Sequence, residues 1–493
     1  NYKTMEIKDL KPELIWNYFH AITQIPRPSK KEEKIRKFLL SFAAENHLKA
    51  DTDSTGNVVI TRDAAPGHEH VPTVILQAHM DMVCEKNGDV QIDFENDPIR
   101  TYIDGEWVRA EGTTLGADNG IGMAAAMAAL TDPDLKVGRI QALFTVDEET
   151  GLTGAFGLED GMIDGKYLLN LDSEDEAEIF IGCAGGIDTT STFSYKPAEL
   201  PENYFYLKVS VKDLLGGHSG GDIHLGRGNA NKLLARFLWQ CWQKYDIILC
   251  SIDGGNLRNA IPREAEAVIG VPESVKEQVR AHLNRFAAEA ANELGDIEPS
   301  MKIVMETADK PQYAIDPVTA CSLVSALYAA PHGVVKMSRD IPGLVETSTN
   351  LASVKMKEEN TIVVATSQRS SVESEKYDIA RQVEALFTLA GAEATHGDGY
   401  PGWKPNMNSK IMEIAVKAYE ELYQVTPAIK AIHAGLECGL FLTKYPHLDM
   451  ISFGPTLRDV HSPLEAMHIP AVEKFWNHLV RILEMVAAEQ PQD

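Results

Sequence analysis

Side chains that can bind metal ions follow apolar segments at several points along this chain. The motif QAHMD supplies His79 and Asp81 directly after an apolar run, and GADNG supplies Asp118. Further candidates stand in VDEETG, LDSED and DVHSP, and these are Asp147, Glu148, Glu149, Asp172, Glu174, Asp175, Asp459 and His461. Open α/β sheets place their sites at the carboxyl ends of the strands, so we expect these side chains to share one site.

The residue types favour a site with two metal ions. His79 and Asp81 are two residues apart, so on a strand both point to the same side, and one can ligate while the other orients it. Glu148 and Glu149 are adjacent at a predicted strand end, where both can reach one pocket with separate roles. Two imidazoles with three or more carboxylates match the ligands that Zn²⁺, Mn²⁺ or Co²⁺ accept. Such a set suits two metals that are joined by one bridging carboxylate and share an activated water.

Each of these motifs also has a purely structural interpretation. A histidine and an aspartate after a strand are often satisfied by their surroundings, and DEE or SED is typical of a solvated loop. Asp118, directly before a helical pattern, is well placed to be a helix N-cap. The shared site is favoured because the motifs recur in comparable positions at predicted strand ends.

The segment GGHSGG holds a second kind of candidate. Its residues 217–221 fit GxSxG, the nucleophile motif of serine hydrolases, with Ser219 as the nucleophile. That motif requires a helix immediately after the serine, and here the next helical pattern begins only near Asn229. We therefore favour a glycine-rich loop that presents His218 to a ligand, with a tight turn as the structural alternative.

Three further residues are candidates for binding a substrate. Arg369, at a predicted strand end, has the fork of N–H groups that holds a carboxylate through two hydrogen bonds. Asn259 in RNAIP precedes a strand and can donate to a developing oxyanion. Gly435 in HAGLECG indicates a close approach of the backbone to another group. A surface arginine, a turn asparagine and a helix-starting glycine are the alternatives.

Apolar strands and helices alternate around the metal-binding motifs. Buried strands are predicted over 71–83, 139–149 and 166–175, and a buried helix over 120–130. This order, with continuous apolar strands, predicts an α/β fold with a mostly parallel sheet and helices on both faces. Upstream of these strands, Ser29 and Glu32 have the spacing of a capping box, which predicts the start of a helix.

The pattern changes near Gly185 and returns near Tyr400. Between these points, alternating strands and helices predict an α+β domain of two tandem units. We therefore predict a catalytic domain formed by residues 1–186 and 400–493, interrupted by an inserted lid domain over 187–399.

The composition is that of a globular protein with an acidic surface. The 493 residues include 46 Lys and Arg against 72 Asp and Glu, a net charge of −26. Such a surface repels phosphate backbones, so no nucleic-acid partner is expected. No apolar run reaches ~18 residues, and the first thirty residues lack an apolar signal-peptide core, so neither a membrane span nor an export signal is predicted. The six scattered cysteines favour reduced thiols in the cytoplasm.

The motifs together resemble the M20 family of di-metal peptidases. The resemblance rests on QAHMDMV, GTTLGADNGIGMA, DEETGLTGAFGL, NLDSED, GCAGG, GGHSGGDIH, NAIPRE, YPGW, HAGLECG and GPTLRDVHSPLE. These blocks come in the family's order and extend over essentially the whole chain. Many aminoacylase-type members have DKG where this chain has Asp118-Asn119-Gly120, and that difference favours the dipeptidase branch.

The resemblance implies a role for each candidate residue. The expected metal ligands are His79, Asp118, Glu149, Asp172 and His461. They would hold two Zn²⁺ ions, which Co²⁺ or Mn²⁺ can replace, and Asp118 would bridge them. Asp81 would support His79, and Glu148 would be the general base. The expected substrate-binding residues are His218, Asn259, Arg369 and Gly435.

The implied reaction is metal-dependent hydrolysis of unblocked dipeptides, including Xaa-His and β-alanyl-histidine substrates. The lid is expected to close over the substrate, and we expect a homodimer. An N-acyl amino acid deacylase or a tripeptidase of the same fold is the first alternative. A serine hydrolase acting through Ser219 and a binding protein without activity are the other two.

Overall fold

The structure is a computed structural model, described here for residues 6–489. The chain forms two compact units. The first comprises the chain up to Gly182, Pro405–Ala431 and the chain from Leu436 onward, and the second comprises Cys183–Lys404 and Ile432–Gly435. Segments 183–186 and 400–404, which the sequence assigns to the catalytic domain, group with the second unit. Gly185 and Gly186 pair with Ser370 and Arg369 of that unit, and segment 400–404 pairs in turn with segment 183–186.

An eight-stranded sheet forms the centre of the first unit. Its strands lie in the order Lys49–Thr52, Val58–Arg62, Ile140–Thr145, Val74–His79, Tyr167–Asn170, Asp449–Ser452, Glu178–Cys183 and Ala428–Ile432. The four central strands, from Ile140–Thr145 to Asp449–Ser452, run parallel. The neighbours on either side, Val58–Arg62 and Glu178–Cys183, pair with them antiparallel.

The three predicted strands are confirmed as Val74–His79, Ile140–Thr145 and Tyr167–Asn170, and every residue in them is buried. Both faces of the sheet are therefore covered at its centre, as parallel strands require. The α/β fold is thus confirmed. The helices of this unit are Ile7–Asp9 (3₁₀), Glu13–Thr23, Glu33–Glu45, Ala117–Thr131, Glu148–Gly151, Thr153–Gly157, Lys410–Tyr423, Glu437–Lys444 and Ile469–Ala488. A small sheet contains Leu457–Arg458, Ala466–His468, Trp107–Ala110 and Thr101–Asp104.

The capping box expected at Ser29 and Glu32 is wrong. The helix begins at Glu33 without a side-chain cap. Ser29 Oγ donates instead to Asp81 Oδ2 at 2.8 Å, and Glu32 Oε1 accepts the backbone N–H of Asp147 at 3.0 Å. Both side chains are thus used to hold the segments that carry the candidate site.

A nine-stranded antiparallel sheet forms the centre of the second unit. Its order is Lys302–Thr307, Tyr204–Lys212, Ala265–Pro272, Ile248–Gly254, Val345–Lys357, Thr361–Ser370, Gly185–Ser194 and Glu393–His396, with Gly333–Met337 also paired to Val345–Lys357. The α-helices are Ala230–Trp242, Lys276–Leu294, Pro317–Ala329 and Glu373–Leu389, and all four contribute to one apolar core with the sheet. Short elements are Ile223–Leu225 and Glu273–Val275 (3₁₀), and the strand pairs Pro197–Ala198 with Ala314–Ile315 and Gly217–His218 with Ala260–Ile261.

Two α+β units of the same topology share this sheet. Each contains the order strand–helix–strand–strand–helix–strand, and these four strands lie in the spatial order 4-1-3-2. One unit has Gly333–Met337 as an additional strand after its first helix. The unit from Tyr204 to Thr307 lies between the first strand and the first helix of the other, Gly185–Ser194 and Pro317–Ala329. Two α+β units are therefore present, but the expected tandem order is wrong, because one unit is inserted within the other.

Within the described part of the chain, every helix is too short or too polar to cross a membrane.

Candidate functional site

Three buried parallel strands end side by side and bring several candidate metal-binding residues to the same edge of the sheet. His79 pairs with Thr145 on one neighbouring strand, and Gln77 pairs with Asn170 on the other. The strands therefore end side by side, and the residues at or just beyond their ends lie together. These residues are His79, Asp81, Glu148, Glu149 and Asp172.

The carboxylate of Asp118 lies between two imidazoles. Its Oδ1 is 2.9 Å from His79 Nε2, and its Oδ2 is 3.0 Å from His461 Nε2. Each imidazole also has a second carboxylate beside it: Asp172 Oδ1 is 3.4 Å from His79 Nε2, and Glu149 Oε2 is 3.0 Å from His461 Nε2. The structure thus brings all five expected ligands together, with Asp118 shared by the two halves.

The donor atoms of this cluster fit two divalent cations. Those of His79, Asp118 and Asp172 lie within 4.8 Å of one another, and so do those of Asp118, Glu149 and His461. Imidazole nitrogens with carboxylate oxygens are the donors that Zn²⁺, Mn²⁺ and Co²⁺ accept. Because one carboxylate belongs to both groups, the arrangement suits a pair of ions with a common ligand.

The electrostatics of the cluster favour added positive charge. Burial, together with the charge of Asp118, raises the pKa of Asp172 well above its ordinary value, despite the opposing effect of His79. Hydrogen bonds with Asp118 and Glu149 raise the pKa of His461 to about 11. The cluster thus has more carboxylates than cations, and a bound cation would relieve the repulsion between them.

Asp81 holds the two halves of the strand-end cluster in place. Its Oδ1 accepts the backbone N–H of Glu148 at 3.0 Å, and its Oδ2 accepts that of Glu149 at 3.3 Å. Oδ1 also lies 3.2 Å from His79 Nδ1. Burial opposes ionisation of Asp81, but the hydrogen bonds from His79, Ser29 and Glu148 lower its pKa to about 2. Asp81 is therefore a charged acceptor that orients both His79 and the turn carrying the glutamates.

Glu148 and Glu149 lie in a one-turn helix, Glu148–Gly151, rather than on the strand itself. Asp147 precedes it in the left-handed conformation, with φ 48°. Burial raises the pKa of Glu148 well above its ordinary value, and the charges of nearby carboxylates, including Asp172, add to this. A raised pKa is typical of carboxyl groups that transfer protons in catalysis.

The other acidic residues of the strand-end motifs have different contacts. The Asp147 carboxylate accepts the hydroxyls of Thr150 and Thr153, so it is bonded within its own turn and away from the cluster. Asp175 pairs with Arg458 at 2.9 Å on the surface. Burial raises the pKa of Glu174 to about 7, with the charge of Asp118 adding to the effect. Of the three carboxylates in LDSED, Asp172 is the one beside His79.

Two residues that position Asp118 were missed in the sequence. The buried Glu465 carboxylate accepts the backbone N–H groups of Leu115, Gly116 and Ala117 at 2.7, 3.0 and 2.8 Å. Arg27, also buried, donates to the carbonyls of Asp81 and Gly116 at 2.8 and 2.5 Å. Glu465 ends the motif HSPLE, so its position in a metal-binding motif could have indicated a role. Arg27 lies in PRPS, which has no feature that indicates one.

Glu437 was also missed, although it lies in HAGLECG. It is buried, and its Oε2 accepts from Gln77 Nε2 at 2.6 Å and from Thr145 Oγ1 at 3.0 Å. Gln77 and Thr145 are near the carboxyl ends of two neighbouring strands, one of which carries His79 while the other precedes Glu148. Burial raises the pKa of Glu437 to about 7. Glu437 therefore links these two strands through hydrogen bonds near the residues of the candidate site.

The remaining candidates lie in the second unit, where Gly217–His218 pairs with Ala260–Ile261. This pairing places His218 beside Asn259, whose carbonyl accepts the N–H of Ser219 at 2.8 Å. His218 Nδ1 accepts the backbone N–H groups of Gly220 and Gly221 at 3.2 and 2.9 Å. Burial and the charge of Arg369 lower the pKa of His218. Its neutral imidazole therefore has its proton on Nε2, which can donate to a ligand.

Arg369 is a buried cation, only 7% exposed. Its Nη1 donates to the Tyr400 hydroxyl at 2.6 Å, its Nη2 lies 3.5 Å from Ser219 Oγ, and its Nε has no hydrogen-bond partner. Across residues 6–489, no carboxylate forms an ion pair with it. A buried guanidinium with an unused N–H and no acidic partner favours an anionic ligand.

The groups around Arg369 add no further charge. His433 Nε2 lies 2.7 Å from Ser348 Oγ, and burial with the charge of Arg369 lowers the pKa of this imidazole to about 3. His218 is neutral for the same reasons. The surroundings therefore carry one positive charge, which matches a single carboxylate.

Gly435 and Ser219 complete this group. A Cβ at Gly435 would lie 2.8 Å from Tyr400 Cε2, so the expected close approach is to that aromatic ring. Ser219 lies beside Arg369, and the next α-helix begins only at Ala230. The strand–serine–helix turn of a serine hydrolase is therefore not formed at Ser219.

Comparison with known proteins adds four findings. Residues 75–485 match the model of peptidase family M20/M25/M40. The chain is 42% identical over 484 residues to the cytosol non-specific dipeptidase of Escherichia coli K12, covering 98% of this chain and 100% of that protein. The crystal structure of aminoacylhistidine dipeptidase from Vibrio alginolyticus matches with a TM-score of 0.92 and 44% identity, over 98% of each chain. A tripeptidase from Staphylococcus aureus shares the fold, with a TM-score of 0.57 and 16% identity over 97% of this chain and 100% of that one.

Proposed function

Since the chain belongs to peptidase family M20/M25/M40, we propose that it is a metal-dependent dipeptidase that hydrolyses unblocked dipeptides. Its substrates would include aminoacyl-histidine and β-alanyl-histidine dipeptides. The full-length likeness to two dipeptidases supports the substrate class. The observation that carries the proposal is the carboxylate of Asp118, placed within 3.0 Å of two imidazoles that each have a further carboxylate beside them.

We assign His79 and Asp172 to one divalent ion, Glu149 and His461 to a second, and Asp118 to both. When bound, two such ions polarise the scissile carbonyl and lower the pKa of a water molecule. Zn²⁺ is our first choice, and Co²⁺ or Mn²⁺ has the same ligand preference. Asp81 holds His79 in the orientation that this binding needs, and Glu465 holds the backbone before Asp118.

Glu148 is our candidate for the general base. Its backbone N–H is fixed on Asp81, and removal of its half-buried carboxyl from water raises the pKa. It would take a proton from the attacking water and pass it to the amine of the leaving amino acid. Glu149, fixed on the same aspartate, is assigned to the metals instead because its carboxylate lies beside His461.

The second unit would supply the residues that bind the substrate. Arg369 would hold the C-terminal carboxylate of the dipeptide, since its guanidinium is buried beside neutral groups. His218 would donate from Nε2 to the carbonyl oxygen as negative charge develops there, with Asn259 as a second donor. Gly435 would act in this binding by leaving room for the Tyr400 ring beside Arg369. The division into a catalytic domain and a lid, the homodimer and the cytoplasmic location stay predictions.

The experiment is a comparison of kcat/KM for four kinds of substrate on the purified protein with Zn²⁺. These are alanyl-histidine, β-alanyl-histidine, trialanine and N-acetyl-alanine. We expect at least one of the two dipeptides to exceed both other substrates by more than about tenfold, the scale of discrimination that a single unpaired polar group produces. A preference for N-acetyl-alanine would show a deacylase, and a preference for trialanine would show a tripeptidase.

A further inference from the structure

The backbone of Tyr400 is fixed by hydrogen bonds from two directions. Its backbone exchanges two hydrogen bonds with Gly186, at 2.8 and 3.0 Å. Its carbonyl also accepts from Lys376 Nζ at 2.8 Å, and this lysine is only 1% exposed and also bonded to Glu373. A lysine can be buried when it is paired, and the pairing with Glu373 thus allows Lys376 to hold the backbone of Tyr400.

The ring of Tyr400 lies in a space that two glycines leave open. A Cβ on Gly186 would come within 2.7 Å of Tyr400 Cζ and the hydroxyl oxygen, and a Cβ on Gly435 would come within 2.8 Å of Cε2. Real Cβ contacts are essentially never that short. The ring can therefore occupy this position only because both neighbours lack side chains.

The hydroxyl of Tyr400 accepts from Arg369 Nη1 at 2.6 Å, the shorter of the two hydrogen bonds of that guanidinium. The other, from Nη2 to Ser219, is 3.5 Å, and Nε has no hydrogen-bond partner. The direction of the planar guanidinium therefore depends mainly on Tyr400. Burial raises the pKa of Tyr400, so its hydroxyl stays neutral and does not neutralise the positive charge of Arg369.

We propose that Tyr400 is the positioning residue that aims Arg369 at the C-terminal carboxylate, and that it thereby sets the preference for free dipeptides over their amides. This inference rests on the proposed binding of that carboxylate by Arg369. A guanidinium fixed at one Nη presents its remaining N–H groups in one direction, so both oxygens of a carboxylate can be bound together.

The test is the ratio of kcat/KM for alanyl-histidine to that for alanyl-histidinamide, in Tyr400→Phe and in a matched control. Tyr204→Phe is the control, because its hydroxyl also makes one hydrogen bond in the same unit, to the carbonyl of Asp246 at 2.8 Å. Where amide hydrolysis is too slow to follow, the inhibition constant of the amide replaces its kcat/KM. We expect Tyr400→Phe to lower the ratio roughly tenfold, through a higher KM for the free dipeptide with kcat within about twofold. Tyr204→Phe should leave the ratio unchanged.

Other outcomes separate this inference from the proposed function. A wild-type ratio near one, unchanged by Arg369→Ala, would overturn the proposed role of Arg369 itself. A high wild-type ratio that Arg369→Ala abolishes and Tyr400→Phe preserves would overturn the role of Tyr400 alone. If Tyr400→Phe fails to fold, Gly186→Ala tests the same point, because it displaces the ring and keeps the hydroxyl. An unchanged ratio in a folded Gly186→Ala protein would also contradict the inference.

Discussion

Replacing Asp81 by Asn should lower kcat/KM strongly, although Asp81 is not one of the proposed metal ligands. The carboxylate makes four contacts, with Ser29, His79 and the N–H groups of Glu148 and Glu149. An amide keeps only one acceptor oxygen, so at least one of these N–H groups would face an NH₂ group instead.

The expected fall in kcat/KM for Asp81→Asn follows from the pKa of Asp81. It is lowered from 3.8 to about 2, and at 1.36 kcal/mol per unit this is a preference of about 2.5 kcal/mol for the charged form in its place. Loss of that interaction predicts a fall in kcat/KM of roughly 50- to 100-fold, and supporting carboxylates of metal-binding histidines have effects of that order on metal affinity. Because the pKa is depressed, the stability that Asp81 provides is present above pH 3.8 and is lost as the pH falls toward 2.

The assay is kcat/KM for alanyl-histidine together with the Zn²⁺ dissociation constant, measured by competition with a chromogenic chelator. Ser29→Ala is the matched control, because it removes one neutral donor from the same carboxylate and should cost less than about fivefold. Asp81→Asn within about threefold of wild type in both measurements would refute the reasoning.

Three further predictions concern other buried groups. Glu148→Gln should lower kcat by about 10²- to 10⁴-fold and keep two metals per chain, measured by elemental analysis, and loss of both metals would contradict its role as the base. Glu465→Ala leaves four backbone N–H groups without their acceptor, so urea unfolding should show a loss of at least about 2 kcal/mol, and unchanged stability would contradict this. Burial lowers the pKa of His478 from 6.5 to about 4, so the unfolded chain takes up a proton first as the pH falls. The free energy of unfolding should therefore fall by on the order of 3 kcal/mol between pH 6.5 and 4. His478→Gln should show a correspondingly shallower pH dependence of unfolding. Identical slopes for the two proteins would contradict that assignment.

The central sheet and the positions of the candidate ligands were predictable because the signals are local. Apolar runs that end at His79 and just before Asp172 indicate buried strands with polar ends, and parallel strands bring such ends together. The apolar run that follows Asp118 indicates a buried helix with this carboxylate at its start. The spacing of His79 and Asp81 likewise predicts that both side chains point to the same side of a strand.

What was missed depends on contacts between distant segments. Ser29 looks like a helix cap, yet its hydroxyl bonds to Asp81, 52 residues away. Glu465 reaches the backbone of Leu115 across 350 residues, and Tyr400 meets Arg369 only because two glycines leave it space. The insertion of one α+β unit inside another was missed for a similar reason, because each strand has an ordinary pattern and only the pairing shows the order.

The central claim is that hydrolysis depends on metal ions held by the cluster around Asp118. The direct test follows alanyl-histidine hydrolysis by the purified protein before chelation, after complete metal removal, and after addition of Zn²⁺. We predict that activity disappears with the metal and returns with Zn²⁺. Activity that survives complete metal removal would contradict the account.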